Sequence, residues 1–147
     1  MINIVLEGEL KGSHTISGLF PARIQNEAIQ SHSTIGVSTD PPAESGKFDI
    51  AMVLGNMTGQ PINVGSYKAV SVIKDQPLFE VGAKNGFLTL VSYNNDNKKR
   101  TEFYTQSGEF VVNFADDKKI SGIFNLILKD TTGNKSVSAN GSFEIYP

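Results

Sequence analysis

Residues 136–145 read Ser136-Val137-Ser138-Ala139-Asn140-Gly141-Ser142-Phe143-Glu144-Ile145. Val137, Ala139, Gly141, Phe143 and Ile145 fall on one parity, and Ser138, Asn140, Ser142 and Glu144 on the other. Period-two alternation of this kind describes a strand with one face on a core and the other in water, the mark of an antiparallel sheet. Immediately upstream, Phe124, Leu126 and Leu128 alternate with Asn125 and Lys129. The intervening Asp130-Thr131-Thr132-Gly133-Asn134 supplies the left-handed and side-chain-bonded conformations of a hairpin loop. Phe110, Val112 and Phe114 make a third alternating run, and Asp116-Asp117 turn it back. Residues 101–146 are therefore expected to form a three-stranded antiparallel meander.

Further upstream, Lys47–Leu54 and Gly86–Tyr93 are apolar on both parities, which predicts central strands covered on both sides. Val64–Ile73 and Leu78–Val81 predict two more strands. Ile2–Leu10 and Ser13–Phe20 predict an N-terminal hairpin closed by Lys11-Gly12, with Leu10 facing Ser13 and Glu9 facing His14. Arg23–Gln30 suits either a strand or one or two helical turns, and Ser38–Gly46, with Pro41-Pro42, reads as a loop. No internal repeat and no linker divides the chain, so residues 1–147 read as one domain. The expected fold is all-β: an antiparallel β-sandwich of about eight to ten strands, with a closed, calycin-like β-barrel as the alternative.

The glycine and aromatic spacing of the second half has a further reading. Gly65 and Tyr67 share one strand, Tyr104 ends an aromatic one, and Ser107-Gly108 precedes the next. Ile120-Ser121-Gly122-Ile123-Phe124 and Asn140-Gly141-Ser142-Phe143 then close the chain with two Gly-x-Phe runs. Over residues 60–146 this resembles small uncharacterised bacterial β-domains that are often carried on lipoproteins. The resemblance implies an all-β fold and no activity. The chain departs from it in having neither Trp nor Cys.

Composition narrows the function classes. With no cysteine, disulfides, thiolate catalysis and Cys-based metal sites are excluded. A net charge of −2 gives no basic footprint for nucleic acid. No stretch has the length of a membrane span, and Glu7 interrupts the first apolar run before it reaches signal-peptide length. The chain as written reads as soluble and cytoplasmic, or as periplasmic or envelope-borne if Met1 stands where an export signal has been removed. There is no Gly-x-Ser-x-Gly elbow, P-loop or dinucleotide-binding glycine fingerprint, so no catalytic residue is assigned and no cofactor is expected.

Three candidate chemistries remain. If a second turn centres near Arg23, His32 falls opposite His14, and Glu9, His14 and His32 lie side by side as two imidazoles and a carboxylate, the donor set of a metal-dependent enzyme. The bland reading is two rim histidines. Glu7 and Glu9 share a face, but neighbouring carboxylates on one strand ordinarily do no more than solvate it. Asn94-Asn95-Asp96-Asn97 and Asp116-Asp117 are oxygen-rich enough for calcium, yet such clusters are the ordinary composition of hairpin loops. Asn56, Asn134 and Asn140 open Asn-x-Ser/Thr sequons, read as turn and strand composition.

Tyr93 and Tyr104 flank the Asn-rich loop, and exposed Tyr anchors protein partners or stacks on sugars. The leading expectation is a non-enzymatic binding or interaction module for a protein or carbohydrate partner, using Tyr93, Asn94, Asn95, Asp96 and Tyr104. The alternatives are a barrel holding a small apolar ligand and the metal-dependent enzyme.

Overall fold

A computed structural model describes residues 1–17, 19–26, 31–39, 48–73, 76–94 and 98–147. Its strands are β1 (Ile2–Gly8), β2 (Gly12–Ile16), β3 (Phe20–Asn26), β4 (Ser31–Ser38), β5 (Phe48–Asn56), β6 (Gly65–Ala69), β7 (Val72–Ile73), β8 (Gln76–Pro77), β9 (Lys84–Asn94), β10 (Lys99–Ala115), β11 (Ile120–Asp130) and β12 (Ser136–Ile145). Among the described residues there is no helix. Ten strands form one sheet in the order β2-β1-β12-β11-β10-β6-β9-β5-β4-β3, and β7 and β8 make a separate two-stranded ribbon. The pairing of β6 with β9 is parallel, so the sheet is mixed.

The sheet is strongly curled. Ten strands spaced about 4.8 Å apart would place β2 and β3 about 43 Å from each other if flat. Yet only residues 17–19 connect these end strands, a link that reaches at most about 14 Å. Curling brings His14 of β2 against Phe48 of β5, with ring centroids 4.6 Å apart. One face of the sheet then encloses a single core running from Ile2, Ile4 and Leu6 on β1 to Ile35 and Val37 on β4.

The expected meander is present as β10–β11–β12, with the alternation intact on β11 and β12. Its two Gly-x-Phe runs interlock. Gly122 pairs with Phe143, and Phe124 pairs with Gly141. A Cβ on Gly122 would meet the Phe143 ring at 2.8 Å, and one on Gly141 would meet the Phe124 ring at 2.8 Å. Each ring lies over the glycine of the facing strand, so each motif supplies what the other lacks.

β10 divides between two partners. Its first part pairs with β9 from Lys99↔Asn94 to Tyr104↔Thr89, and its second pairs with β6 from Glu109↔Lys68 to Val112↔Gly65. At the fork, the buried Thr105 hydroxyl accepts from Leu88 N at 2.8 Å and donates to Leu88 O at 2.7 Å. A side chain thus replaces a ladder residue where the two strands part. The bulge between Thr105 and Ser107 and the left-handed Gly108 (φ 119°) redirect β10 toward β6. Tyr67 of β6, fully buried, closes back on the preceding loop: its hydroxyl donates to Asn63 O and accepts from Asn63 N, both at 3.0 Å. Burial raises its pKa above the ordinary phenol value.

Several sequence expectations change in detail. The N-terminal hairpin takes the register Leu6↔Gly12, Val5↔Ser13, Ile4↔His14, so Glu9 lies outside the ladder and does not face His14. The cause is Gly8 (φ 107°) and Gly12 (φ 112°), which end the strands early, while Glu9 N bonds to Ser136 O. β2 stops at Ile16, and Phe20 begins β3. Through Asn26 the ambiguous Arg23–Gln30 stretch is strand; 27–30 and most of the Ser38–Gly46 loop lie outside the described residues. The Val64–Ile73 run splits into β6 and β7. The run at Leu78–Val81 is not a strand, and Leu78 and Val81 are exposed. β5 and β9 are central, but their outer faces are only half-buried.

Candidate functional site

Alternation on β9 and β10 fixes what points outward. Leu88 and Leu90 on β9, and Phe103 and Thr105 on β10, are buried. Phe87, Thr89, Val91 and Tyr93 therefore share the opposite face with Arg100, Glu102 and Tyr104. The ladder sets them in cross-strand pairs: Tyr93 beside Arg100, Val91 beside Glu102, Thr89 beside Tyr104. Tyr93 and Tyr104 thus stand on one face, four positions or about 13 Å apart along the strand direction.

Glu102 organises this face. It accepts a hydrogen bond from the Tyr104 hydroxyl, and Arg100 Nε lies 3.5 Å from its carboxylate. Because both partners sit two residues away on the same strand, they line up on one side. Val72, Phe87, Val91, Arg100, Glu102 and Tyr104 border a shallow depression of about 230 Å³. Phe79 packs on Phe87 at 5.9 Å between ring centroids, bringing the segment after the β7–β8 ribbon onto one edge. This volume falls below that of pockets which engulf small ligands, about 300–1,000 Å³, and suits a surface contact instead.

The loop between β9 and β10 is shorter than the sequence suggests. The ladder runs to Asn94↔Lys99, and Tyr104 is mid-strand. Lys98 (φ 52°) adopts the left-handed conformation of a tight turn. Asn94 ends β9, and Asn95 and Asp96 lie outside the described residues. Phe87, Val91, Arg100 and Glu102 are the members of this face that the sequence reading missed. Their signal was parity with Tyr93 and Tyr104 across a paired hairpin, which needs the register.

Glu9, His14 and His32 are arranged differently from the expected cluster. Glu9 pairs with Lys135 at 3.6 Å, both side chains being well exposed. His14 sits opposite Ile4, on the core side, with its ring edge-on to Phe48 and its Nε2 buried without a hydrogen-bond partner. His32 lies on β4 beyond the Thr34↔Gly55 pair, toward the end of β5 opposite Phe48. Phe48 and Gly55 are separated by about 23 Å of strand. Among the described residues, no group of three His, Asp or Glu is placed to hold a metal ion.

Comparison of the chain with protein-family models, curated proteins and solved structures finds no match. The reading of function therefore rests on the residues and their geometry. Among the described residues, no helix is long and apolar enough to cross a membrane.

A second depression, of about 260 Å³, opens at the β9–β10 hairpin end of the core. Leu10 and Phe103 supply its apolar wall, and Ser92, Lys99, Thr101 and Lys135 its polar rim. The Glu9–Lys135 pair stands beside it.

Proposed function

We propose that this protein is a non-enzymatic binding module whose partner surface is the outer face of β9 and β10. The observation that carries the reading is the placement of Tyr93, Arg100 and Tyr104 on one side of a paired hairpin, where Arg100 and Tyr104 border a depression too small to enclose a small ligand. Tyr and Arg are the residues that most often dominate the energy of protein contacts, and Tyr also stacks on sugars. The Glu102 bonds hold Arg100 and Tyr104 in place before a partner arrives, which lowers the ordering cost of binding. The partner class is a protein or a glycan.

The scaffold is read as a sandwich-like stacking of the β1–β2–β11–β12 part of the curled sheet on the β3–β4–β5 part. The contact of His14 with Phe48 supports this, because it joins strands far apart in the ladder order.

The test uses the paired substitution Tyr93→Ala, Tyr104→Ala on glycan arrays and immobilised protein libraries. Binding by the wild-type chain that disappears in the variant, with the melting temperature held within a few degrees, is the expected result. Equal binding by both chains would move the site to another face.

A second reading is a closed barrel that holds a small apolar ligand. The three-residue link between the end strands favours it, because it holds the two ends of the curled sheet close together. Mass spectrometry of the denatured protein decides it: a stoichiometric co-purified lipid supports the cavity, and its absence removes the reading.

A further inference from the structure

We infer that the inner end of the β9–β10 hairpin is a binding site for a small oxyanion, a phosphate or carboxylate group held by Ser92, Lys99, Thr101 and Lys135. The rows of the inner face carry the argument. Ile50, Leu90 and Phe103 align across β5, β9 and β10 as one apolar row of the core. The next row toward the hairpin turn is Phe48, Ser92 and Thr101, so two hydroxyls stand side by side where the core would otherwise continue. Lys99 follows on the same parity of β10. Among the described residues, no side-chain hydrogen bond engages either hydroxyl.

The facing wall comes from far along the sheet. Leu10, after β1, and Lys135, before β12, complete the depression of about 260 Å³ around these hydroxyls. Lys135 is fixed through its backbone: its N–H donates to the Asp130 carboxylate at 3.2 Å, and its carbonyl accepts from Asp130 N at 3.1 Å. Two ammonium groups and two hydroxyls therefore line a space too small for a drug-sized ligand. Ammonium groups only donate and hydroxyls can donate, so the lining matches a group that only accepts, an ionised oxyanion. Glu9 is the internal competitor. It stands 3.6 Å from the Lys135 ammonium, too far for a hydrogen bond, so Lys135 keeps its donors for a ligand. Leu10 and Phe103 offer the carbon side of an organic acid an apolar wall. The site is separate from the proposed partner surface, because Ser92 and Thr101 have the opposite parity to Tyr93, Arg100 and Tyr104.

Amide chemical-shift titration of the full chain with sodium phosphate and, separately, sodium hexanoate tests the inference, with ionic strength held constant by sodium chloride. Saturable shifts at Leu10, Ser92, Thr101 and Lys135 are expected with at least one of the two anions. Tighter binding of phosphate assigns the site to a phosphoryl group, and tighter binding of hexanoate assigns it to an organic acid. Lys135→Gln is expected to weaken binding about tenfold and Thr101→Val about fivefold, each through the loss of one charge-assisted hydrogen bond. Glu9→Gln, a change on an exposed side chain, is expected to tighten binding about threefold by removing the competing carboxylate. Thermal melting verifies that the variants fold. Shifts that fail to saturate with both anions, that sodium chloride alone reproduces, or that persist unchanged in Lys135→Gln and Thr101→Val would overturn the site.

Discussion

The β10–β11–β12 meander and the β5–β9 pair belong to the same sheet, yet they achieve cohesion by different means. In the meander, one parity is buried and the other is mostly polar with Ile123 and Ile127 among it, and its strands adhere through matched cross-strand partners such as Gly122 with Phe143 and Phe124 with Gly141. In β5 and β9 both parities are apolar: Met52, Leu54, Leu88 and Leu90 fill the core, while Ala51, Val53, Phe87 and Val91 half-cover the outside. The comparison teaches that apolar content alone does not locate the interior. The meander is ordered by local complementarity, and the β5–β9 pair carries surplus apolar surface outward, beside the tyrosines of the proposed binding face.

The sharpest way to break the comparison is at the interlocked glycines. Gly122→Val is expected to destabilise by more than about 4 kcal/mol, because even a Cβ would approach Val111 O at 2.0 Å. Gly133→Ala is expected to cost only about 1 kcal/mol, since its Cβ would meet nothing within 4 Å and only the left-handed φ of 75° opposes it. Urea denaturation of both variants measures the gap, and similar losses would remove the interlocking account. Next in size is Thr105→Val, which leaves Leu88 N and O without the hydroxyl that bonds both inside the fork. A loss of about 2–3 kcal/mol is expected, together with faster exchange of the Leu88 amide, and a neutral result would show the fork closing by other means.

A smaller effect than at the fork is expected at Tyr67. Tyr67→Phe removes the bonds to Asn63 and is expected to cost about 1–2 kcal/mol near neutral pH. The sign of the pH effect follows from the raised folded-state pKa. The unfolded chain loses the phenol proton first, so this stabilisation is complete below the unfolded value of about 10 and declines as pH rises through the higher folded value. Stability curves into the alkaline range should converge for the wild type and Tyr67→Phe, and parallel curves would refute the assignment.

The meander was legible because Val137–Ile145 and Phe124–Leu128 alternate without interruption, and alternation is a local property of the chain. The N-terminal register was not, since it depends on Gly8 and Gly12 leaving the extended conformation and on Glu9 bonding to Ser136, far away in sequence. A local clue to His14 existed: it shares a parity with Ile16, which points to the core side. At the proposed site, Tyr93 and Tyr104 could be singled out as aromatics near a loop. Their shared face with Arg100 and Glu102 required the β9–β10 pairing, and the parallel entry of β6 beside β9 has no local signature at all.

The pairing of β1 with β12 has a consequence for the order of assembly. The β10–β11–β12 strands meet through short turns, so they can zip together early. Ile2 must instead find Phe143 across nearly the whole chain, and loop-closure entropy makes that ladder late. Until β1 arrives, β12 presents an unpaired edge along Val137 and Ala139, which the finished fold buries, a template for a neighbouring unfinished chain. Folding at low concentration, or with the N-terminal segment released first, keeps that interval harmless.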